Sequence, residues 1–347
     1  MFSSLIQWSQ KEFSHLPWRR KRSLYRTLVS EIMLQQTTVG TVLNHFERFL
    51  TRFPDLESLA KASEDELLVA WKGLGYYRRA RSLKKISETL AAEYKGHFPK
   101  EIESLQKITG IGPYTANALV AIGMDRPGLA VDANLERVLA RIFGYDVEKG
   151  PALQKFIAKE FAEGRLLPER DLSFRGLNEA LMDLGRTVCQ ANRAACELCL
   201  MKKHCVAFKS GKPLDYPLQG KAKGKAAEHE LELLRLIVVK NGSVLVYQKE
   251  DKEWLAGQWE LPTFVISSTD AKFKQYPQWG QKVDKKKLVS LKTGITKYTI
   301  VNYLMEEKEL KAKKLLGSRK KEWRRLDDPH ANFSTATIKA LKKVALV

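Results

Sequence analysis

Ile108-Thr109-Gly110-Ile111-Gly112-Pro113-Tyr114, set inside the run Leu105 to Val120, is the stretch that decides the architecture. Apolar spacing on either side predicts a helix, a tight turn and a second helix, and the glycines permit left-handed backbone or a close approach. Pro113 suits the first position of the second helix, because its fixed φ matches a helix start and its missing N–H would lack an intrahelical partner there anyway. Free amides at that start can hold a phosphate, with Gly110 and Gly112 as the points of approach. Two helices joined by glycines are also a common structural device. Charge bears on the choice: 60 Lys+Arg against 40 Asp+Glu leave a net +20 spread through the chain. A polyanion profits from such a field, since each neutralised phosphate releases condensed counterions.

Upstream of the hairpin, Ser23 to Gln36 carries Leu24, Leu28 and Ile32 at helical spacing, a buried stripe on which Glu31 also lies, with Thr27 and Gln35 one turn to either side. Desolvation there lifts a carboxyl pKa above its usual value of about 4.3, toward a proton donor near neutrality. A helix glutamate paired with an arginine is the plainer alternative. Downstream, Leu129-Ala130-Val131 leads to Asp132, and Asn134 to Ile142 predicts a helix with Leu135, Val138, Leu139 and Ile142 on one face. Asp132 then sits at a helix N-terminus, where it is an ordinary cap and also a carboxylate that the amides and helix dipole keep ionised. An ionised Asp could stabilise a cationic transition state.

The only four cysteines, Cys189, Cys196, Cys199 and Cys205, are spaced C-x6-C-x2-C-x5-C. Thiolates this close, with none elsewhere, surround one soft metal centre more naturally than they form disulfides; zinc and an iron–sulfur cluster both fit. No apolar signal run follows Met1 and no stretch approaches the roughly 20 residues of a membrane span, so a cytoplasmic protein without a membrane association is expected.

Length allows two domains, and the composition changes between them. Helical spacing dominates 1–206. The segment 207–230, with Gly211, Pro213, Pro217, Gly220 and Gly224 among lysines, reads as a basic linker. In 231–347, Leu233 to Val239 and Val244 to Tyr247 are β-rich runs across Asn241-Gly242, a strong hairpin signal. Another strand pair is expected around Tyr298 to Met305. A closing helix, capped by Ser334 or Thr335, runs through Ile338, Leu341 and Val344. An all-α domain thus precedes an α+β one.

Several motifs together resemble the MutY adenine DNA glycosylases of the endonuclease III, helix-hairpin-helix superfamily. They are Leu16-Pro17-Trp18-Arg19, Ser30-Glu31-Ile32-Met33-Leu34-Gln35-Gln36-Thr37, Gly73-Leu74-Gly75-Tyr76-Tyr77-x-Arg79-Ala80-Arg81, the glycine hairpin, Val131-Asp132-x-Asn134, and Asn178-Glu179-Ala180-Leu181-Met182-Asp183-Leu184-Gly185. The resemblance implies a multidomain protein: an all-α helix-hairpin-helix glycosylase domain whose cysteine loop holds a [4Fe-4S] cluster, followed by a Nudix-like α+β domain. It implies double-stranded DNA with adenine mispaired to 8-oxoguanine or guanine as partner, bound by a monomer, nucleoid-associated if bacterial.

By the same resemblance Glu31 protonates adenine N7 and Asp132 stabilises the oxocarbenium-like sugar or adds to it, as paired carboxylates do in glycoside hydrolysis. Tyr114 and Asn134 are expected to support Asp132, Glu179 and Arg19 to hold adenine or the catalytic network, and Gln36 and Tyr76 to wedge into the base stack. Tyr114 stands where bifunctional relatives carry a Schiff-base lysine, which implies a monofunctional enzyme. Trp254-Leu255-Ala256-Gly257-Gln258-Trp259-Glu260-Leu261-Pro262 resembles the Nudix-like segment, but no R-E-x-x-E-E run follows it. The family's Phe-Ser-His loop is matched here only by Ile295-Thr296-Lys297, leaving Thr296 to sense the oxidised guanine.

Overall fold

The computed structural model describes the chain apart from residues 167–172, 219–228, 251, 296, 309–311, 313, 315, 327, 329, 330 and 345–347. It divides into two compact units, Met1–Ala62 with Arg78–Ala222, and Ser63–Tyr77 with Lys223–Val347. Ser63–Tyr77 therefore groups with the second unit although it falls within 1–206. In and beside the segment read as a linker, Val206–Lys209 is helical, Leu218 bridges to Glu148, and the first strand begins at His229. Composition registers its Pro and Gly but cannot report such long-range pairings.

The first unit is helical. The helix Leu24–Leu34 starts at Ser23, whose side chain accepts from Arg26 N. It stops two residues before the expected Gln36, because Gln36 takes a φ of 55° that no right-handed helix continues. Helices Ala133–Phe143 and Phe174–Thr187 share one core, in which Leu135, Val138, Leu139 and Ile142 meet Leu177, Leu181 and Leu184. Gly185 sets their approach: a Cβ there would lie 2.9 Å from Asn134 Cβ and 3.2 Å from Val138 Cγ2. Close packing at that point brings the Glu179 helix against the residues following Asp132.

The hairpin is as expected in outline, with Ile102–Gln106 and Pro113–Ala118 helical. Its glycines differ in use. Gly110 has φ 104° and any Cβ there would collide with Ser82 Oγ at 2.5 Å, whereas Gly112 is extended (φ −87°, ψ 178°) and faces open space.

Among the described residues of the second unit, eight strands form two sheets: β1 (His229–Ile237), β2 (Val239–Lys240), β3 (Ser243–Gln248), β4 (Trp259–Glu260), β5 (Thr263–Ser268), β6 (Val289–Ile295), β7 (Tyr298–Glu306) and β8 (Lys321–Arg325). One sheet has the order β5-β1-β7-β6; in the other, β3 pairs with β2, β4 and β8. The Asn241-Gly242 turn forms, both residues having positive φ (50° and 68°), but it joins only β2 to β3. The Leu233–Ile237 part of the expected hairpin arm instead lies in β1, antiparallel to β5 and parallel to β7. Its buried run of Leu231, Leu233, Leu234 and Leu236 suits a central strand covered on both faces. The closing helix Thr335–Lys343 is capped by Ser334, which accepts from Thr337 N at 3.1 Å. Among the described residues no helix is long and apolar enough to cross a membrane.

Candidate active site

A cleft of about 940 Å³ opens in the first unit, and Glu31, Tyr114, Asp132, Asn134, Arg19, Gln36 and Glu179 all line it. Glu31 is 5% exposed, as its place on the apolar stripe requires. Burial pushes its carboxyl up to about 7; the Tyr114 hydroxyl opposes this, Asp132 and Glu179 add to it, and Arg19 opposes it. Tyr114 donates to Glu31 Oε2 at 2.5 Å, not to Asp132 as expected. Burial, then the charges of Glu31 and Asp132, hold this phenol well above its usual range, so it remains a donor.

Asp132 caps the helix Ala133–Phe143. Its Oδ1 accepts from Asn134 N (2.9 Å) and Leu135 N (2.8 Å), and its Oδ2 accepts from Asn134 Nδ2 (2.8 Å). Asn134 is held in turn by Arg137, whose Nη2 donates to Asn134 Oδ1 at 2.9 Å and to Gly185 O at 2.8 Å, while Nε donates to Cys189 O at 2.9 Å. Carboxylate, cap and cysteine loop are thereby linked by consecutive hydrogen bonds. Backbone leading into Asp132 is fixed by Asn178, fully buried, which accepts from Ala130 N at 2.8 Å and donates to Gly128 O at 3.0 Å.

Opposite charges flank the acids. Glu179 accepts a two-pronged contact from Arg22 (2.7 and 3.1 Å) and lies 3.6 Å from Arg19 Nε. Arg19 Nη1 donates to Asp183 at 2.8 Å, and Ser9 donates to the same oxygen at 2.6 Å. Asp183 lies one helical turn beyond Glu179, a spacing that could have flagged it; Arg22 and Ser9 carry no local signal. Gln36 is exposed at the cleft rim. Tyr76, 59% exposed and with φ 45°, belongs to the other unit, and Thr296 lies outside the described residues.

None of the four cysteines is in a disulfide, and all four line one small cavity with Val138, Arg141, Ile142 and Leu184. Arg141 Nη1 donates to Cys189 Sγ at 3.3 Å, and the same guanidinium holds Gln190 O and Ala191 O at 2.8 and 3.1 Å. Among the described residues no three His, Cys, Asp or Glu are placed to hold a single metal ion. Four free thiols around a shared cavity beside a buried cation are a donor set that could hold a soft metal centre.

Comparison with known proteins agrees with this geometry. Residues 29–163, which include Glu31, Tyr114, Asp132 and Asn134, match the HhH-GPD superfamily of base excision DNA repair proteins. Adenine DNA glycosylase of Buchnera aphidicola subsp. Schizaphis graminum is 31% identical over 283 residues, covering 78% of this chain and 76% of that protein. The human adenine DNA glycosylase is 37% identical over 213 residues, 59% of this chain but only 38% of the human protein. A solved thermostable thymine-DNA glycosylase superimposes with a TM-score of 0.54 at 28% identity, over 60% of this chain and 94% of that one. With that relationship added to the paired acids, the glycine hairpin and the cysteine loop, the chain belongs to the adenine DNA glycosylases of the helix-hairpin-helix base-excision repair superfamily.

Proposed function

We propose that this protein removes adenine mispaired with 8-oxoguanine or guanine in double-stranded DNA by hydrolysing the N-glycosidic bond. The observation that carries the reading is Glu31: a carboxyl held near pKa 7 by burial, lined up by Tyr114, in one cleft with Asp132. Adenine must leave the helix to reach such a cleft. Glu31 gives its proton to N7, and the C1′–N9 bond breaks with its electron pair going to the base. Asp132 faces the positive charge left at C1′, held for that role by the donors on its carboxylate. Water then bonds to C1′ and releases a proton, which restores Glu31. Arg19 and Glu179 flank the base, Gln36 and Tyr76 enter the stack, and the Gly110–Gly112 turn meets the backbone phosphates.

No lysine stands at position 114, so the chemistry ends at base loss. Incubated with a duplex holding one adenine opposite guanine or 8-oxoguanine, the protein is expected to release free adenine and leave the strand intact until alkali is added. Borohydride trapping of most of the protein on DNA, or removal of oxidised pyrimidines in place of adenine, would overturn the assignment.

The four cysteines hold a [4Fe-4S] cluster, which supplies the loop with a rigid cross-link, since metal binding contributes folding free energy. Anaerobically purified protein is expected to contain about four irons per chain; stoichiometric zinc in their place would contradict it. The second unit is a Nudix-like domain that reads the base opposite adenine through Thr296, which lies between Ile295 and Lys297 in the sequence. Glu260, the acid of its Trp254–Pro262 segment, is buried between Arg235 and Lys249 and so is withheld from any pyrophosphate.

A further inference from the structure

We infer that Arg79 is a positioning residue for the turn that carries Gln36, and that through this turn it governs how readily the target adenine leaves the stack. The inference rests on the reading of Gln36 as a wedge given above. The helix Leu24–Leu34 ends with carbonyls that have no partner within the helix. Arg79, on the helix Arg78–Glu93 and only 8% exposed, supplies partners for them. Its Nη1 donates to Ile32 O at 3.0 Å, to Met33 O at 2.7 Å and to Gln35 O, and its Nη2 donates to Thr37 Oγ1 at 2.9 Å.

These contacts bracket Gln36 on both sides. Gln36 itself sits at φ 55°, a region that a residue with a side chain seldom adopts and keeps only where its surroundings over-determine it. One planar guanidinium thus fastens the end of the Glu31 helix, the residue before the strained position and the residue after it. Lysine, a single point charge, cannot reproduce that fork. Gln35, Gln36 and Thr37 line the cleft and Arg79 does not, so Arg79 acts through the turn. It also follows Tyr76 by three residues, and Tyr76 too has positive φ, at 45°.

A plain helix-end brace would slow excision from every substrate alike; an anchor for the wedge would matter only where a stacked base must be extracted. Arg79→Gln and Arg79→Lys, made in the full chain, separate the two. Single-turnover adenine release is measured from a fully paired duplex with one A:G mispair and from the same mispair flanked by unpaired bases, where the adenine is already unstacked. A 2-aminopurine beside the target reports unstacking on binding. The paired duplex is expected to be cut on the order of 100-fold more slowly by both variants, the cost of a misplaced group at a reacting site. The unstacked substrate should be cut near the wild-type rate, and the 2-aminopurine signal should fall. Equal slowing of both substrates, or no slowing of either, overturns the inference. Should the glutamine variant not fold, Thr37→Val, which removes the contact to Arg79 Nη2, and the lysine variant carry the same comparison. If the wild type releases adenine from neither substrate, the proposed function fails; the 2-aminopurine signal, which needs no excision, then still decides for or against Arg79.

Discussion

Glu31→Gln is expected to bind a mispaired duplex as tightly as the wild type while releasing adenine slower by about 10²- to 10⁴-fold, the range contributed by a positioned general acid. Glutamine keeps the shape and can accept from the Tyr114 hydroxyl, but it has no proton to transfer. The pH profile gives an independent check. Burial first, then Asp132 and Glu179, raise the Glu31 pKa to about 7 against the opposing Tyr114 and Arg19. Its acid form therefore predominates below that value and is lost above it, so the single-turnover rate of the wild type should fall about tenfold per pH unit on the alkaline side. Removing the Tyr114 hydroxyl, which favours the ionised form, should move this limb to higher pH in Tyr114→Phe. Wild-type excision by Glu31→Gln, or a rate flat from pH 6 to about 9, would remove Glu31 from the mechanism.

The largest stability effect is expected in the second unit, at Glu260. Its carboxylate is 1% exposed and lies 2.6 Å from Arg235 Nη1 and 2.7 Å from Lys249 Nζ, both cations being buried as well. Arg235 is steadied further by Asn302 Oδ1 at 2.7 Å and Thr263 Oγ1 at 3.1 Å, and Lys249 by Tyr276 at 2.8 Å. Glu260→Gln leaves two desolvated cations without a counter-charge, at a cost of about 3–5 kcal/mol. Replacing all three with apolar residues of similar volume should recover most of that loss, because the penalty lies in stranded charge. Burial raises the Glu260 pKa, yet Lys249 and Arg235 outweigh it and hold the group at about 2, below its ordinary 4.5. A depressed carboxyl stabilises the fold above its unfolded pKa, so this contribution should be complete above pH 4.5 and decline as pH falls toward 2. Urea unfolding followed by the tryptophans of this unit tests both statements. A change below about 1 kcal/mol, the level of an exposed pair, would show that the cluster is not desolvated in solution.

Much of the candidate site is legible in the sequence. Glu31 lies on a stripe defined by Leu24, Leu28 and Ile32, Asp132 stands directly before a helical period, and the cysteine spacing is confined to one loop; each signal spans only a few turns of chain. The same holds for Asn241-Gly242 and for Ser334 as a cap. Such features follow from backbone dihedral preferences and side-chain periodicity, which neighbouring residues settle among themselves. What the tertiary structure alone decided is the choice of partner. Tyr114 turns to Glu31 and not to Asp132, Arg22 and Ser9 reach acids more than 150 residues away, and Arg79 closes the turn at Gln36. Likewise β1 leaves the expected hairpin for a parallel pairing with β7, and Ser63–Tyr77 groups with the second unit. Those pairings depend on which helices and strands pack together, and the free energy of burying a charge or a strand between them has no counterpart in the local pattern.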